Sequence, residues 1–153
     1  MAAEARTAVR PVILVADDEP GIRDSFESLL KKEYDLQFAQ SGEEVLATLQ
    51  RADVNLILLD IRMPGMDGLA TLARMRERQI DSQVVIISGH GNIESAVRAI
   101  KMGAFDFVEK PLSLEKTVLV VRNALRQRSL EAENRALRAR VETQHTMVGE
   151  SYA

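Results

Sequence analysis

Five polar residues stand at the ends of apolar runs. Asp17 and Asp18 follow the run 12–16, Asp60 closes 55–60, Ser88 closes 83–88, and Lys110 comes just after 105–108. Three carboxylates gathered in one place repel one another, and the cost falls when a cation sits among them. A small set of hard oxygen donors suits Mg²⁺, which keeps several waters and accepts phosphate oxygens. Beside such a metal, Asp60 can act as a nucleophile toward a phosphoryl group and become an aspartyl phosphate. Lys110 then offers a point charge to a phosphoryl oxygen, and Ser88 offers a hydrogen bond. Taken singly, each residue reads as a turn former or a solvated surface charge. Their joint arrival at four strand ends is what selects phosphoryl chemistry.

That arrival depends on the elements. Apolar runs at 12–16, 35–39, 55–60, 83–88 and 105–108 alternate with amphipathic stretches. Pro20 suits a first helical turn, ahead of Ile22, Phe26, Leu29 and Leu30 on one side. Ser41 and Glu44 have capping-box spacing before Val45, Leu46 and Leu49. Leu69, Leu72 and Met75 mark a third helix. Asn92 is placed to cap a fourth carrying Ile93, Ala96, Val97 and Ile100, and Ser113 to cap a fifth. Strands alternating with helices predict an α/β fold, a five-stranded parallel sheet covered on both faces, for which a doubly wound, flavodoxin-like order 2-1-3-4-5 is the natural guess, one not independent of the family resemblance given below. In such sheets ligands bind outside the carboxyl ends of the strands, where the five residues lie.

The fifth helix predicts more than a cover for the sheet. It extends from Ser113 to about Gln144, roughly 45 Å at the standard rise. Leu130, Asn134, Leu137 and Val141 alternate spacings of four and three, as in a coiled-coil seam, with Asn134 inward to fix register. A parallel homodimer through this helix is the expectation. Six arginines (122, 126, 128, 135, 138, 140) face three glutamates (131, 133, 142) in the same region. A DNA-binding helix is one reading. A solvated coiled-coil flank is the reading favoured, because acids interleave the bases, so no direct nucleic-acid contact is expected.

The totals set limits. With 153 residues, 46% hydrophobic and 28% charged, the chain has room for one domain and an appendage. A formal net charge of -3 gives no overall basic field. Absence of cysteine removes thiolate chemistry and disulfides, and two histidines make a His-rich zinc site improbable. No run approaches the ~20 apolar residues of a membrane span. Residues 1–10 read as a flexible leader without a signal-peptide core, so a cytoplasmic protein is the default.

Asp17-Asp18-Glu19, Leu59-Asp60, Met63-Pro64-Gly65-Met66-Asp67-Gly68, Ser88-Gly89 and Lys110-Pro111 together resemble the signature of response-regulator receiver domains, over about residues 11–125. The resemblance implies a sensor histidine kinase that phosphorylates Asp60. It implies Mg²⁺ held by Asp18, Asp60 and the backbone carbonyl of Arg62, with Asp17 helping through a metal-bound water. Ser88 would move toward the phosphoryl group and Phe107 would turn inward, although Phe107 also reads as a plain core aromatic. Arg62 and His90, two residues beyond Asp60 and Ser88, would tune the lifetime of the phosphate. A cis Lys110-Pro111 bond is also implied.

Residues 88–111, the stretch 130–141 and Met147-Val148-Gly149-Glu150-Ser151 are similar to the nitrogen-regulation type of response regulator. That likeness implies a receiver, a linker helix over 126–146, and at 147–153 the opening of an AAA+ ATPase that activates sigma-54 RNA polymerase. No GxxxxGK[ST] phosphate loop occurs in the chain, so no ATP hydrolysis of that kind is expected from it. Two other classes stay open. One is a phosphohydrolase working through an aspartyl phosphate; the other is a pseudo-receiver that dimerises without accepting phosphate.

Overall fold

In the computed structural model the described residues are 10–89 and 92–152, with side chains described as far as residue 140. The expected leader, apart from Arg10, lies outside them, as do His90 and the side chain of Val141.

Five short strands form one parallel sheet: β1 Val12–Ala16, β2 Asp35–Ala39, β3 Leu56–Asp60, β4 Gln83–Ser88 and β5 Asp106–Glu109. Their order is β2-β1-β3-β4-β5, the doubly wound order expected. The helices between them are α1 Pro20–Leu30, α2 Gly42–Arg51, α3 Gly68–Glu77, α4 Ile93–Lys101 and α5 Leu114–Tyr152. All five residues of β3 are buried, which is why its run is uniformly apolar up to Asp60.

Side chains alternate across the sheet, so each strand feeds two cores. Leu14, Ile57, Leu59 and Ile86 pack with Val45, Leu72, Met75 and Ala96 under α2, α3 and α4. Ile13, Val15, Leu58 and Ile87 pack with Phe26, Val120, Val121 and Ala124 under α1 and α5. Closing both faces leaves the carboxyl-terminal rim of the sheet as the place where strand-end polar groups meet.

Helix starts follow the sequence signals with one exception. Ser41 accepts the Glu44 N–H at 3.2 Å, and the Glu44 carboxylate accepts the Gln40 N–H at 2.7 Å. Asp67 accepts the Ala70 N–H at 2.8 Å, and Ser113 the Lys116 N–H at 3.4 Å. The expected cap by Asn92 is not made. Its backbone sits at φ -107 and ψ 17 rather than in the extended region, so the side chain makes no capping bond.

Helix α5 is 39 residues long and continues to Tyr152, beyond the expected end near Gln144. Its first third is anchored by buried Thr117, Val120, Val121 and Ala124. Beyond Ala124 the described side chains are exposed, except for half-buried Leu125 and Arg128. Leu130 and Leu137 are 52% and 55% exposed, and Asn134 is exposed between them. Two of the arginines reach back to the body of the domain. Arg128 Nη2 lies 3.4 Å from Asp81 and 3.7 Å from Asp53, and Arg135 Nη2 lies 3.4 Å from Asp81. Among the described residues no helix is long and apolar enough to cross a membrane.

Candidate functional site

Register brings the site together. Ala16 lies opposite both Ala39 and Leu59, so the next residues along, Asp17 and Asp60, come side by side. Asp60 is in turn opposite Ile87, and Ser88 is opposite Glu109. Asp17 and Asp60 are therefore level, and from β3 to β4 to β5 the polar residue stands one step higher each time. Lys110 closes the group, its N–H donating to the Ser88 carbonyl at 2.8 Å. The Lys110-Pro111 bond that follows is cis.

Asp17 and Ser88 are fully buried and Asp60 nearly so. Asp60 Oδ1 accepts the Arg62 N–H at 3.2 Å, and Asp60 Oδ2 accepts from Lys110 Nζ at 3.3 Å. Asp17 Oδ1 accepts the Glu19 N–H at 2.8 Å, which folds the chain away from the strand. Asp17 Oδ2 has the Lys110 ammonium 3.3 Å away but no hydrogen bond. Lys110 also bonds Glu19 Oε1 at 3.0 Å.

These neighbours set the charge states. Burial, then the nearby charge of Asp17, push the Asp60 carboxyl up to about 6 from an ordinary 3.8, while Lys110 and the Arg62 N–H act the other way. Burial also raises Asp17, against the Glu19 N–H and Lys110. For Lys110 burial disfavours the ammonium, yet the Glu19 bond and the charges of Asp60 and Asp17 together hold its pKa above the ordinary lysine value. The carboxylates thus share too little positive charge, and the surplus is a physical reason for a cation to bind.

Carboxylate oxygens of Asp17, Glu19 and Asp60 all lie within 4.8 Å of one another. Three hard oxygen donors, one of them a buried oxygen without a hydrogen bond, fit the chemistry of Mg²⁺. Glu19 takes a place here that the sequence reading did not give it. Asp18 lies outside this group of three: exposed, it lines an adjoining cavity with Arg62, Met63, Asp67, Asn92 and Ser95. The turn in which Asp17 Oδ1 accepts the Glu19 N–H, with a bend at Asp18, brings residue 19 back beside 17 and leaves 18 exposed.

The remaining expected residues take less central places. Ser88 Oγ donates to the Gly89 carbonyl at 3.3 Å, directed along its own turn. Phe107 is half-buried and packs against the core under α2, α3 and α4. Lys116 Nζ stands 5.5 Å from its ring centroid, a cation–π contact from the first turn of α5.

A loop with strict steric demands supports Asp60. Gly65 has φ +73 after Pro64, the left-handed position of a Pro-Gly turn. Glu43 accepts the Met66 N–H at 3.0 Å, tying the loop to α2. The Gly68 N–H donates to the Ile61 carbonyl at 2.8 Å, and a Cβ at Gly68 would meet the Asp60 carbonyl and come 2.8 Å from Ile61 Cα. Helix α3 can start against the end of β3 only because residue 68 has no side chain.

Residues 13–122 match the model of the response regulator receiver domain. The chain belongs to the response-regulator receiver domain family. This receiver domain is 42% identical over 142 residues to the nitrogen assimilation regulatory protein NtrX of Azorhizobium caulinodans, covering 91% of the chain and 31% of that protein. It is 35% identical over 133 residues to the C4-dicarboxylate transport transcriptional regulatory protein DctD of Rhizobium meliloti, covering 86% and 29%. The crystal structure of the NtrX receiver domain from Brucella abortus superposes with a TM-score of 0.71 at 42% identity, covering 74% of the chain and 98% of that structure. The chain thus spans about a third of the length of the curated relatives it matches. Membership places it among two-component response regulators, and its relatives include regulators of transcription.

Proposed function

We propose that this receiver takes a phosphoryl group from a sensor histidine kinase onto Asp60 and passes the change to an activator ATPase that works with sigma-54 RNA polymerase. The observation that carries the reading is the buried Asp60 carboxylate, held between the Lys110 ammonium and the Arg62 N–H at the carboxyl end of the central strand. In the transfer, an Asp60 oxygen forms an O–P bond as the P–N bond of phosphohistidine breaks. The imidazole keeps the electron pair of that bond. Lys110 turns its charge to a phosphoryl oxygen and Ser88 Oγ gives up the Gly89 carbonyl to donate to another.

Asp17, Asp18, Asp60 and the carbonyl of Arg62 are the groups proposed to hold Mg²⁺. When bound, the metal neutralises charge on the attacking carboxylate and the phosphoryl oxygens. Burial of Asp60 excludes bulk water from the mixed anhydride, while Arg62 and His90 are proposed to set how long it lasts. Phe107 supplies the second state: packing more deeply into the core in the phosphorylated form biases the equilibrium by the difference in contacts.

A homodimer through Leu130, Asn134, Leu137 and Val141, with the receivers also in contact, is proposed to carry the signal to the ATPase. The chain acts as a phosphoacceptor that promotes its own loading and unloading, not as a turnover enzyme. Incubation with acetyl phosphate and Mg²⁺ tests this by intact-protein mass. One phosphoryl adduct is expected on the wild type and none on Asp60→Asn. An equal adduct on Asp60→Asn would contradict the assignment, and many turnovers of phosphate release would favour the hydrolase.

A further inference from the structure

Lys110 has more partners than loading a phosphoryl group requires. Its ammonium lies 3.0 Å from Glu19 Oε1, 3.3 Å from Asp60 Oδ2 and 3.3 Å from Asp17 Oδ2. An ammonium has three donors and no acceptor; two are bonded, to Glu19 and Asp60, and the Asp17 carboxylate stands against it 3.3 Å away without a hydrogen bond. A phosphoryl oxygen arriving at Asp60 competes with these carboxylates for the ammonium. Asp17 is buried on a strand end and Asp60 is the group being modified. Glu19 is the remaining partner, and its side chain is 59% exposed. Released, it regains water at little cost.

Glu19 has no competing duty in α1. It occupies the N-cap position, yet its side chain makes no capping bond. Among the described residues its hydrogen bond goes instead to Lys110, 91 positions along the chain. We infer that Glu19 is a positioning residue for Lys110: it holds the ammonium at the rim in the resting protein and competes for it with the incoming phosphoryl group. Phosphorylation exchanges the Lys110–Glu19 bond for a Lys110–phosphoryl bond. The inference rests on Asp60 as the acceptor, and it makes Glu19 a brake on loading.

The full chain, as wild type, Glu19→Gln and Glu19→Asp, tests this with acetyl phosphate at saturating Mg²⁺. In the step followed, an Asp60 oxygen bonds phosphorus as the P–O bond to acetate breaks and acetate leaves with the electron pair. The adduct is expected to form about two- to fivefold faster on Glu19→Gln, the scale of one exposed ion pair. Glu19→Asp, which keeps the charge on a shorter arm, is expected to fall between. A second readout needs no phosphate. The Lys110 ammonium resonance, followed by ¹⁵N NMR, is expected to shift in metal-free Glu19→Gln and to coincide with wild type after phosphorylation.

Slower loading of Glu19→Gln with a raised Mg²⁺ requirement would make Glu19 a metal ligand and overturn the inference. Unchanged loading with an unmoved resonance would overturn it too. If the wild type takes no phosphoryl group, the Asp60 assignment fails, and the resonance alone decides whether Glu19 tethers Lys110.

Discussion

At the residue scale the site is a balance of charge in a dry setting. Asp60 is held near 6, well above an ordinary carboxyl, by burial and by Asp17. A carboxyl whose pKa is higher folded than unfolded favours the fold most when protonated. Its contribution is complete below the ordinary 3.8 and is lost as pH rises through about 6. Asp17 is shifted in the same direction. Lys110 is raised above 10.5, so its contribution stays level across this window and fades only in strong base. Without metal, Asp60→Asn is therefore expected to be more stable than wild type at about pH 7.5, by about 1–2 kcal/mol, with the gap narrowing by pH 5 and closing only below the ordinary 3.8. Thermal melts of both proteins in chelator at the two pH values check the sign. A gap that widens on acidification would contradict the origin given for the shift.

Most of this constellation was legible in the sequence, because apolar runs that end on a polar residue fix both the strand and its active end. Asp17, Asp60, Ser88 and Lys110 announce themselves in that way. Glu19 did not, since a third acid in a row looks like a solvated loop. Only the turn in which Asp17 accepts the Glu19 N–H shows that positions 17 and 19 share a side. The partner it finds is equally hidden, because nothing local to residue 19 points to residue 110.

At the scale of elements, the parallel sheet and its alternating helices followed from periodicity and the strand order from the resemblance, whereas caps and close approaches did not always follow. Asn92 has the right type for a cap but the wrong backbone conformation, a property of the turn after β4 rather than of the residue. Gly68 reads in sequence as one more loop glycine. In the structure it is the contact that lets α3 begin directly against Asp60 and Ile61. Gly68→Ala forces these backbones apart, and overpacking of this kind costs about 1–3 kcal/mol. The loss of stability should be accompanied by slower phosphorylation, because the displaced atoms belong to the acceptor strand. Denaturant unfolding together with loading kinetics would show both effects. Loss of stability with wild-type loading would mean that the loop and Asp60 are less tightly joined than the contact implies.

The molecule as a whole joins a closed two-core domain to a helix that outruns it. Thirty-nine residues at the standard rise span about 58 Å, and the described residues of α5 beyond Arg128 are all exposed. Arg128 and Arg135 direct its departure by pairing with Asp81, on the loop before β4. That pairing links residues far apart in sequence and has no local signature, so composition showed only an excess of arginine. Exposed Leu130 and Leu137 lie on the helix surface one heptad apart, as a seam requires. If they form the proposed dimer, Leu130→Asp with Leu137→Asp is expected to yield monomer in sedimentation at a concentration where wild type is dimeric. The receiver fold should stay intact by circular dichroism. A wild type that is monomeric at high concentration would remove the linker from the account.

All of these consequences presuppose that the phosphate resides on Asp60, and that claim can be read chemically. Borohydride reduces an aspartyl phosphate to homoserine and leaves free carboxylates untouched. The protein is loaded with acetyl phosphate and Mg²⁺, reduced, digested and mapped by tandem mass spectrometry. Homoserine at position 60, dependent on donor and metal, is the predicted result. Homoserine at position 17 or 18, or an adduct that borohydride does not convert, would contradict Asp60 as the phosphoacceptor.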